Sequence, residues 1–113
     1  MQNEAPIVQK VYDFYRDFYQ LSFHIPKRER YALGERIQQT TLELLEKLIS
    51  ATHQEKQNKT DYLGRAAANL DLLKILLRLA EDIKAIPTKR YLILLETLQE
   101  IGKMLGGWIR SLK

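Results

Sequence analysis

Apolar residues recur at three- and four-residue steps along nearly the whole chain, which is the spacing of amphipathic helices. The first predicted helix begins near Pro6, and Pro26 ends it because a proline disfavours helical backbone at the preceding residue. The second runs from about Lys27 to His53, the third from roughly Asp61 to Ala85, and the fourth begins at Pro87. This order predicts an all-α protein, an antiparallel up-down-up-down four-helix bundle.

The segment from Gln54 to Thr60 is polar, so we predict a loop between the second and third helices. Asn58 or Thr60 would cap the third helix, since a side-chain oxygen can accept a hydrogen bond from a free helical N–H. The chain has 113 residues and 45% hydrophobic composition, which predicts a single domain over residues 1–113 with a real core.

The third predicted helix is apolar over a wider arc than a bundle helix needs. Between Leu70 and Ile83 the apolar residues cover about 220° of its surface, whereas one buried face takes roughly 100–180°. The surplus predicts a second buried face, most simply against another subunit, with Leu72, Ile75 and Leu79 in the contact. A helix that lies more centrally than its neighbours in a monomer would give the same pattern.

Glycines enter the end of the fourth helix without interrupting the apolar spacing of Ile101, Leu105 and Trp108. Gly102 and Gly106 are four residues apart and therefore stack on one edge of the helix. Each costs roughly 1 kcal/mol relative to Ala, which predicts the close approach of another backbone. We assign Gly106 and Trp108 to the subunit interface on this basis; a fraying C-terminal turn is the alternative.

The net charge of +4 lies at the C-terminal end, where residues 84–113 carry six bases against two acids. In an up-down bundle the first and third corners fall at the same end, which would gather up to six bases there. Such a patch favours a polyanionic partner; scattered, solvated lysines diluted by Glu29 and Glu35 are the alternative. The basic groups are Lys27, Arg28 and Arg30 at the first corner, Lys84, Lys89 and Arg90 at the third, and Lys103, Arg110 and Lys113 on the last helix.

Combinations of residues that carry catalysis are not evident in the sequence. His24 and His53 are not spaced as metal ligands, and the Glu-x-x-His motif of di-metal bundles does not occur. There is no glycine-rich phosphate loop, and the serines have no evident base partner. We therefore predict a protein that is not an enzyme, with no metal and no cofactor.

Six of the ten aromatic residues lie within twelve positions of the first helix: Tyr12, Phe14, Tyr15, Phe18, Tyr19 and Phe23. Such rings could stack on the bases of single-stranded nucleic acid. Their helical spacing on one broad face favours packing in the core or in an interface. Arg78, in the most apolar part of the third helix, is either an interface arginine or an ordinary partner of Glu81 and Asp82.

The expected location is the cytoplasm. The chain has no cysteine, which agrees with a reducing compartment. Its polar start, Met1 to Pro6, does not resemble a secretory signal. No run of about 18 apolar residues is present, so we expect no membrane span.

Three segments carry a resemblance to a known family. Residues 26–37 open the second helix as in a superfamily of small four-helix bundles that includes proteins encoded in intervening sequences of bacterial ribosomal RNA genes. Residues 70–80 and 101–109 are similar to the accessory variability determinant, Avd, of diversity-generating retroelements. The ending Leu-Gly-Gly-Trp-Ile, residues 105–109, is the most specific piece, and the resemblance covers almost the whole chain.

The resemblance implies a non-catalytic four-helix bundle that assembles as a homopentamer. Its basic surface would bind the reverse transcriptase of the retroelement and nucleic acid, either template RNA or cDNA. With them it would support adenine-specific, mutagenic copying of the template RNA into cDNA that replaces a variable region of a target gene (mutagenic retrohoming). The expected contacts to reverse transcriptase or nucleic acid are Lys27, Arg28, Arg30, Arg78, Lys89, Arg90, Lys103 and Arg110.

Two further expectations follow from how closely the chain matches this family. It is only moderately basic, and its end after Trp108 is short, which favours binding to the polymerase over direct, tight RNA binding. The competing hypothesis is a structural or RNA-associated bundle of the ribosomal-RNA intervening-sequence type, with no polymerase partner.

Overall fold

The computed structural model describes residues 6–113, and all regular structure in this part of the chain is helical, as predicted. Helix α1 spans Pro6–Ser22. Helix α2 is continuous over residues 27–52: a first turn at Lys27–Glu29, a π-helical stretch at Arg30–Gly34 and an α-helix at Glu35–Thr52. Helix α3 spans Lys56–Asp82 and helix α4 spans Thr88–Ser111. Residues 1–5, which belong to the predicted domain and to the polar start compared with a secretory signal, lie outside the described residues.

The four helices form a bundle around one hydrophobic core. Helices that follow one another in the chain pack side by side, and α1 also packs against α4. Full burial of each large apolar side chain contributes about 1.5–3 kcal/mol. The largest enclosed side chains come from all four helices and include Phe14, Phe18, Ile37, Leu44, Leu73, Leu77, Leu98 and Ile101. Within residues 6–113, none of the helices has the length and apolar character needed to cross a bilayer.

The first helix and first corner agree with the sequence prediction. Helix α1 is described from Pro6 onward, and a proline suits a first helical turn because its missing N–H would have no helical partner there. After Ser22 the chain turns tightly, and the N–H of Ile25 donates to the carbonyl of Ser22 at 3.1 Å. Pro26 then precedes the first turn of α2, because its fixed backbone cannot continue α1.

The π-helical stretch in α2 was not predicted. A π-turn holds one residue more than an α-turn, and such turns are rare and often occur at functional sites. Leu33 and the buried Gly34 are the only apolar positions of this stretch that face inward, while Tyr31 is exposed. Too few apolar positions are therefore present for their spacing to reveal a change of period.

The loop predicted from Gln54 to Thr60 is wrong in extent, because α3 already begins at Lys56. The predicted caps are wrong too: Asn58 and Thr60 lie inside the helix, and Glu55 occupies the N-cap position without a side-chain cap bond. We predicted a loop because the segment has few apolar residues. The first part of α3, from Lys56, is largely exposed to solvent and therefore needs no apolar face. Polar residues with adequate helix propensity are sufficient there.

The end of α3 is set by Lys84 rather than by loss of apolar spacing. The helix ends at Asp82, three residues before the predicted Ala85, and Lys84 has a left-handed backbone with φ 62°. The N–H of Ala85 then donates to the carbonyl of Ala80 at 2.8 Å, which satisfies a helix-terminal acceptor.

Polar side chains also link neighbouring helices. Lys10 of α1 and Glu100 of α4 form an exposed ion pair at 2.9 Å. The hydrogen bond from Lys10 to this carboxylate raises the pKa of Lys10 above its ordinary value. Lys47 of α2 donates a hydrogen bond to the side-chain oxygen of Asn69 on α3.

Candidate interaction surfaces

The outer face of α3 is apolar and exposed. Leu70, Leu73 and Leu77 point into the core. On the opposite side Ile75, Leu79 and Ile83 are 54%, 44% and 49% exposed, and Leu72 is half-buried. We call Leu72, Ile75, Leu79 and Ile83 the outer α3 face. A row of four large aliphatic side chains on a protein surface is typical of a contact site, so the surplus apolar arc is exposed in the protomer.

The glycines of α4 lie along a groove between α3 and α4. The groove has a volume of about 660 Å³, and Gly102 and Gly106 form part of its lining. A Cβ added to Gly102 would meet side-chain atoms of Leu70 and Lys74 at 3.5 and 3.6 Å. No backbone of the protomer's own helices therefore lies against Gly102 as predicted. The close approach of a backbone from another subunit stays a prediction.

The end of α4 is ordered as helix through Ser111, so the glycine segment is not a frayed turn. Trp108 is half-buried and packs against the hydrophobic core. Arg110 is exposed, and its Nη1 lies 3.3 Å from where a Cβ on Gly106 would sit. Trp108 thus contributes to the protomer's own packing, and its assignment to a subunit contact remains a prediction.

The first and third corners lie together at one end of the bundle, as the helix order predicted. A cavity of about 600 Å³ is lined from one corner by His24 and Pro26 and from the other by Lys84 and Thr88. We call this end, with its exposed bases, the basic end. Its exposed cations are Lys27, Arg28, Lys84, Lys89 and Arg90. Its acids are Glu29, Glu81, Asp82 and Asp17, the last of which lines a cleft with Arg90, so five exposed cations face four acids and the net charge is positive.

Arg30 has a structural partner that sequence reasoning missed. It is half-buried, and its Nη2 donates to the backbone carbonyls of Phe23 at 3.0 Å and Ile25 at 3.2 Å. These carbonyls belong to the corner that follows α1, so the guanidinium ties the start of α2 to that corner. The sequence gives no sign of this role, because the distance between Arg30 and the two carbonyls depends on how the chain turns after α1.

The other predicted contact residues are exposed but dispersed. Arg78 lies on α3, and the ion pairs found among the described residues do not include it. Lys103 lies at the groove between α3 and α4. Lys89 and Arg110 lie at opposite ends of α4, about 30 Å apart at 1.5 Å per residue. One group of the predicted bases therefore lies at the basic end, Lys103 and Arg110 lie along α4, and Arg78 lies apart from both on α3.

The aromatic residues of α1 divide between the core and the surface. Phe14 and Phe18 are fully buried, as the packing interpretation predicted. Tyr12, Tyr19 and Phe23 are 55%, 47% and 58% exposed, so they do not pack in the core, and their packing in an interface stays a prediction. Aromatic residues spaced for one broad face extend beyond the arc that the core can cover.

The protomer is an all-helical bundle that displays an apolar face, a basic end and exposed aromatic rings, and surfaces of this kind are typical of contact sites. The comparison with known families identifies the family of the chain. Residues 6–112 match the bAvd-like family, and the chain belongs to that family. A search of curated proteins found no match.

Proposed function

We propose that this protein is the accessory protein of a diversity-generating retroelement and that it acts by binding rather than by catalysis. The observation that carries the proposal is the family match, which extends over residues 6–112. Proteins of the Avd-like family are accessory and non-catalytic, so we expect this protein to act through surfaces that bind other molecules. We propose two such surfaces, one for assembly and one for the polymerase with its nucleic acid.

Assembly would use the outer α3 face. Association of copies would remove Ile75 and Leu79 from water, and burial of apolar surface contributes about 25 cal/mol per Å². This face lies on the side of α3 opposite the core and is exposed, so it is free to meet another subunit. We propose a homopentamer, in which every protomer repeats the same basic end.

The basic end would bind the reverse transcriptase and its RNA or cDNA. Lys27, Arg28, Lys89 and Arg90 are all exposed there, and clustered cations bind phosphates through release of counterions. A ring of protomers multiplies this local charge. Lys103 and Arg110 would extend the contact along α4, and mutagenic copying of template RNA is the reaction that the complex would support.

The test is charge reversal at the basic end. We expect Lys27→Glu, Arg28→Glu, Lys89→Glu and Arg90→Glu in combination to abolish capture of the reverse transcriptase and to leave the oligomer intact. The matched control reverses Lys56, Lys59, Arg65 and Lys113 to Glu, which changes the net charge by the same amount away from the basic end. Capture is measured by co-purification of a co-expressed reverse transcriptase.

Equal loss of capture in both fourfold variants would mean that only net charge matters, and the assignment of the basic end would be wrong. Full capture by the basic-end variant would also contradict it. If the wild-type protein captures no reverse transcriptase encoded beside its gene, the proposed partner is wrong. A protein of the ribosomal-RNA intervening-sequence type would give that last result.

A further inference from the structure

A strip of aromatic rings runs along the exposed side of α1. We call Tyr12, Tyr15, Tyr19 and Phe23 the aromatic strip. The rings of Tyr15 and Tyr19 are stacked with centroids 6.4 Å apart, and Tyr19 meets Phe23 edge to face at 5.1 Å. Tyr12, Tyr19 and Phe23 are each about half exposed. The protomer therefore holds an ordered array of π-faces in contact with solvent.

The charges beside the aromatic strip sum to −1, with Arg16 against Asp13 and Asp17, so the cations that would contact phosphates are those of the basic end beyond Phe23. The guanidinium of Arg16 lies 6.0 Å from the centroid of the Tyr12 ring. The two carboxylates nearest to it, Asp13 and Asp17, are paired with Arg16 at 3.5 and 3.6 Å. At its other end the strip reaches Phe23, four residues before the first cation of the basic end.

Polar groups border the strip on the α2 side. A cleft of about 420 Å³ beside Tyr15 is lined by Glu35, Arg36, Gln38, Gln39 and Leu42. The hydroxyl of Tyr15 donates to Oε1 of Gln38 at 3.5 Å. Amide and guanidinium groups next to stacked rings can bond to the edges of bases and to phosphates.

The composition of the strip distinguishes it from the outer α3 face. The outer α3 face is entirely aliphatic, which suits burial against another protein surface, whereas the strip is entirely aromatic. Aromatic rings combined with cations are the means by which proteins bind single strands without regard to sequence, since every base has a π-face. We infer that the aromatic strip binds a single-stranded polynucleotide by stacking its unpaired bases.

In this arrangement the bases stack on Tyr12, Tyr19 and Phe23, and the phosphates continue onto Lys27 and Arg28. Only the phosphate contacts rest on the proposed function of the basic end. The contribution of stacking to the affinity is separate, because it requires the bases of the oligonucleotide and not merely its charge. An oligonucleotide without bases therefore separates the two.

The experiment measures binding of the full chain by fluorescence anisotropy. The probes are a labelled oligoadenylate and an abasic oligonucleotide of equal length. We expect the wild type to bind the oligoadenylate more tightly, by roughly 5- to 150-fold for each stacked base. Tyr19→Leu with Phe23→Leu should remove this difference, because leucine keeps the apolar character and lacks the π-face.

Two controls keep the result specific. Tyr19→Phe retains the ring and should retain the preference for bases. Leu92→Ala removes a side chain of α4 that is 56% exposed and should change neither affinity. Thermal unfolding by circular dichroism checks that each variant is folded.

Equal affinity of the wild type for both probes would overturn the inference and leave the basic-end proposal standing. No binding of either probe would contradict direct nucleic-acid binding at both surfaces. Retention of the preference in the double leucine variant would also overturn the inference. If that variant instead lost the oligomer or the reverse transcriptase and kept the preference, the strip would be a protein contact.

Discussion

At the residue scale, neighbouring arginines of one basic segment have different roles. Arg28 is exposed, whereas Arg30 is half-buried and donates to two corner carbonyls. Their sequence context is nearly the same, so spacing alone could not separate them. Lys84 is a similar case, because nothing in its sequence indicates the left-handed backbone that ends α3. Such roles depend on how the chain turns in three dimensions.

Replacement of these two arginines should affect stability differently. We expect Arg30→Ala to lower the free energy of unfolding by about 1–3 kcal/mol, because hydrogen bonds from a charged group to the corner carbonyls are lost. Arg28→Ala should change it by less than about 0.5 kcal/mol, as for most exposed sites. Urea unfolding followed by circular dichroism measures both. Equal values would show that the Arg30 bonds do not stabilise the corner.

At the element scale, the helices could be predicted where one face is buried. The start of α4 was predicted to within one residue, since Pro87 is the N-cap and the helix begins at Thr88. The first part of α3 from Lys56 could not be found in this way, because its side chains are largely exposed. The π-helical stretch was missed for a related reason, as it contributes few inward-facing residues. The periodic spacing of apolar residues reveals a helix only where one face is buried. A helical segment outside the core lacks this spacing and cannot be predicted from it.

Two neighbouring glycines of α4 differ in their position relative to the groove. Gly106 lies in the groove between α3 and α4, whereas Gly107 is not part of its lining. Both changes to Ala should favour the helix by about 0.5–1 kcal/mol. If the groove receives another subunit, Gly106→Ala places a methyl group in the contact, and the oligomer should dissociate at a higher protein concentration than that of Gly107→Ala. Light scattering over a dilution series measures this.

Identical dissociation of the two glycine variants would mean that the groove is not part of the subunit contact. A more stable oligomer in the Gly106 variant would give the same conclusion. The added Cβ approaches only Nη1 of Arg110, at the end of a flexible side chain. Steric conflict within the protomer therefore does not explain a loss of assembly.

At the scale of the whole molecule, helix order predicted that two distant corners would meet. The cavity shared by His24 and Lys84 lies at that junction. The surplus arc of α3 correctly indicated side chains outside the core, including Ile75 and Leu79. The sequence could not show that Tyr19 would be exposed, since its spacing fits a buried face equally well. Which surfaces of the protomer contact another chain depends on the shape of that chain. The spacing of apolar residues in this sequence gives no information about that shape.

Assembly is tested most directly by the native mass in solution, measured by light scattering at low and at high salt. We expect five times the protomer mass of 13.3 kDa at both salt concentrations, because an aliphatic contact is not weakened by ionic screening. Ile75→Glu with Leu79→Glu should reduce the mass to that of one protomer, whereas Leu92→Ala should not. A wild-type monomer at either salt concentration would contradict assembly through the outer α3 face.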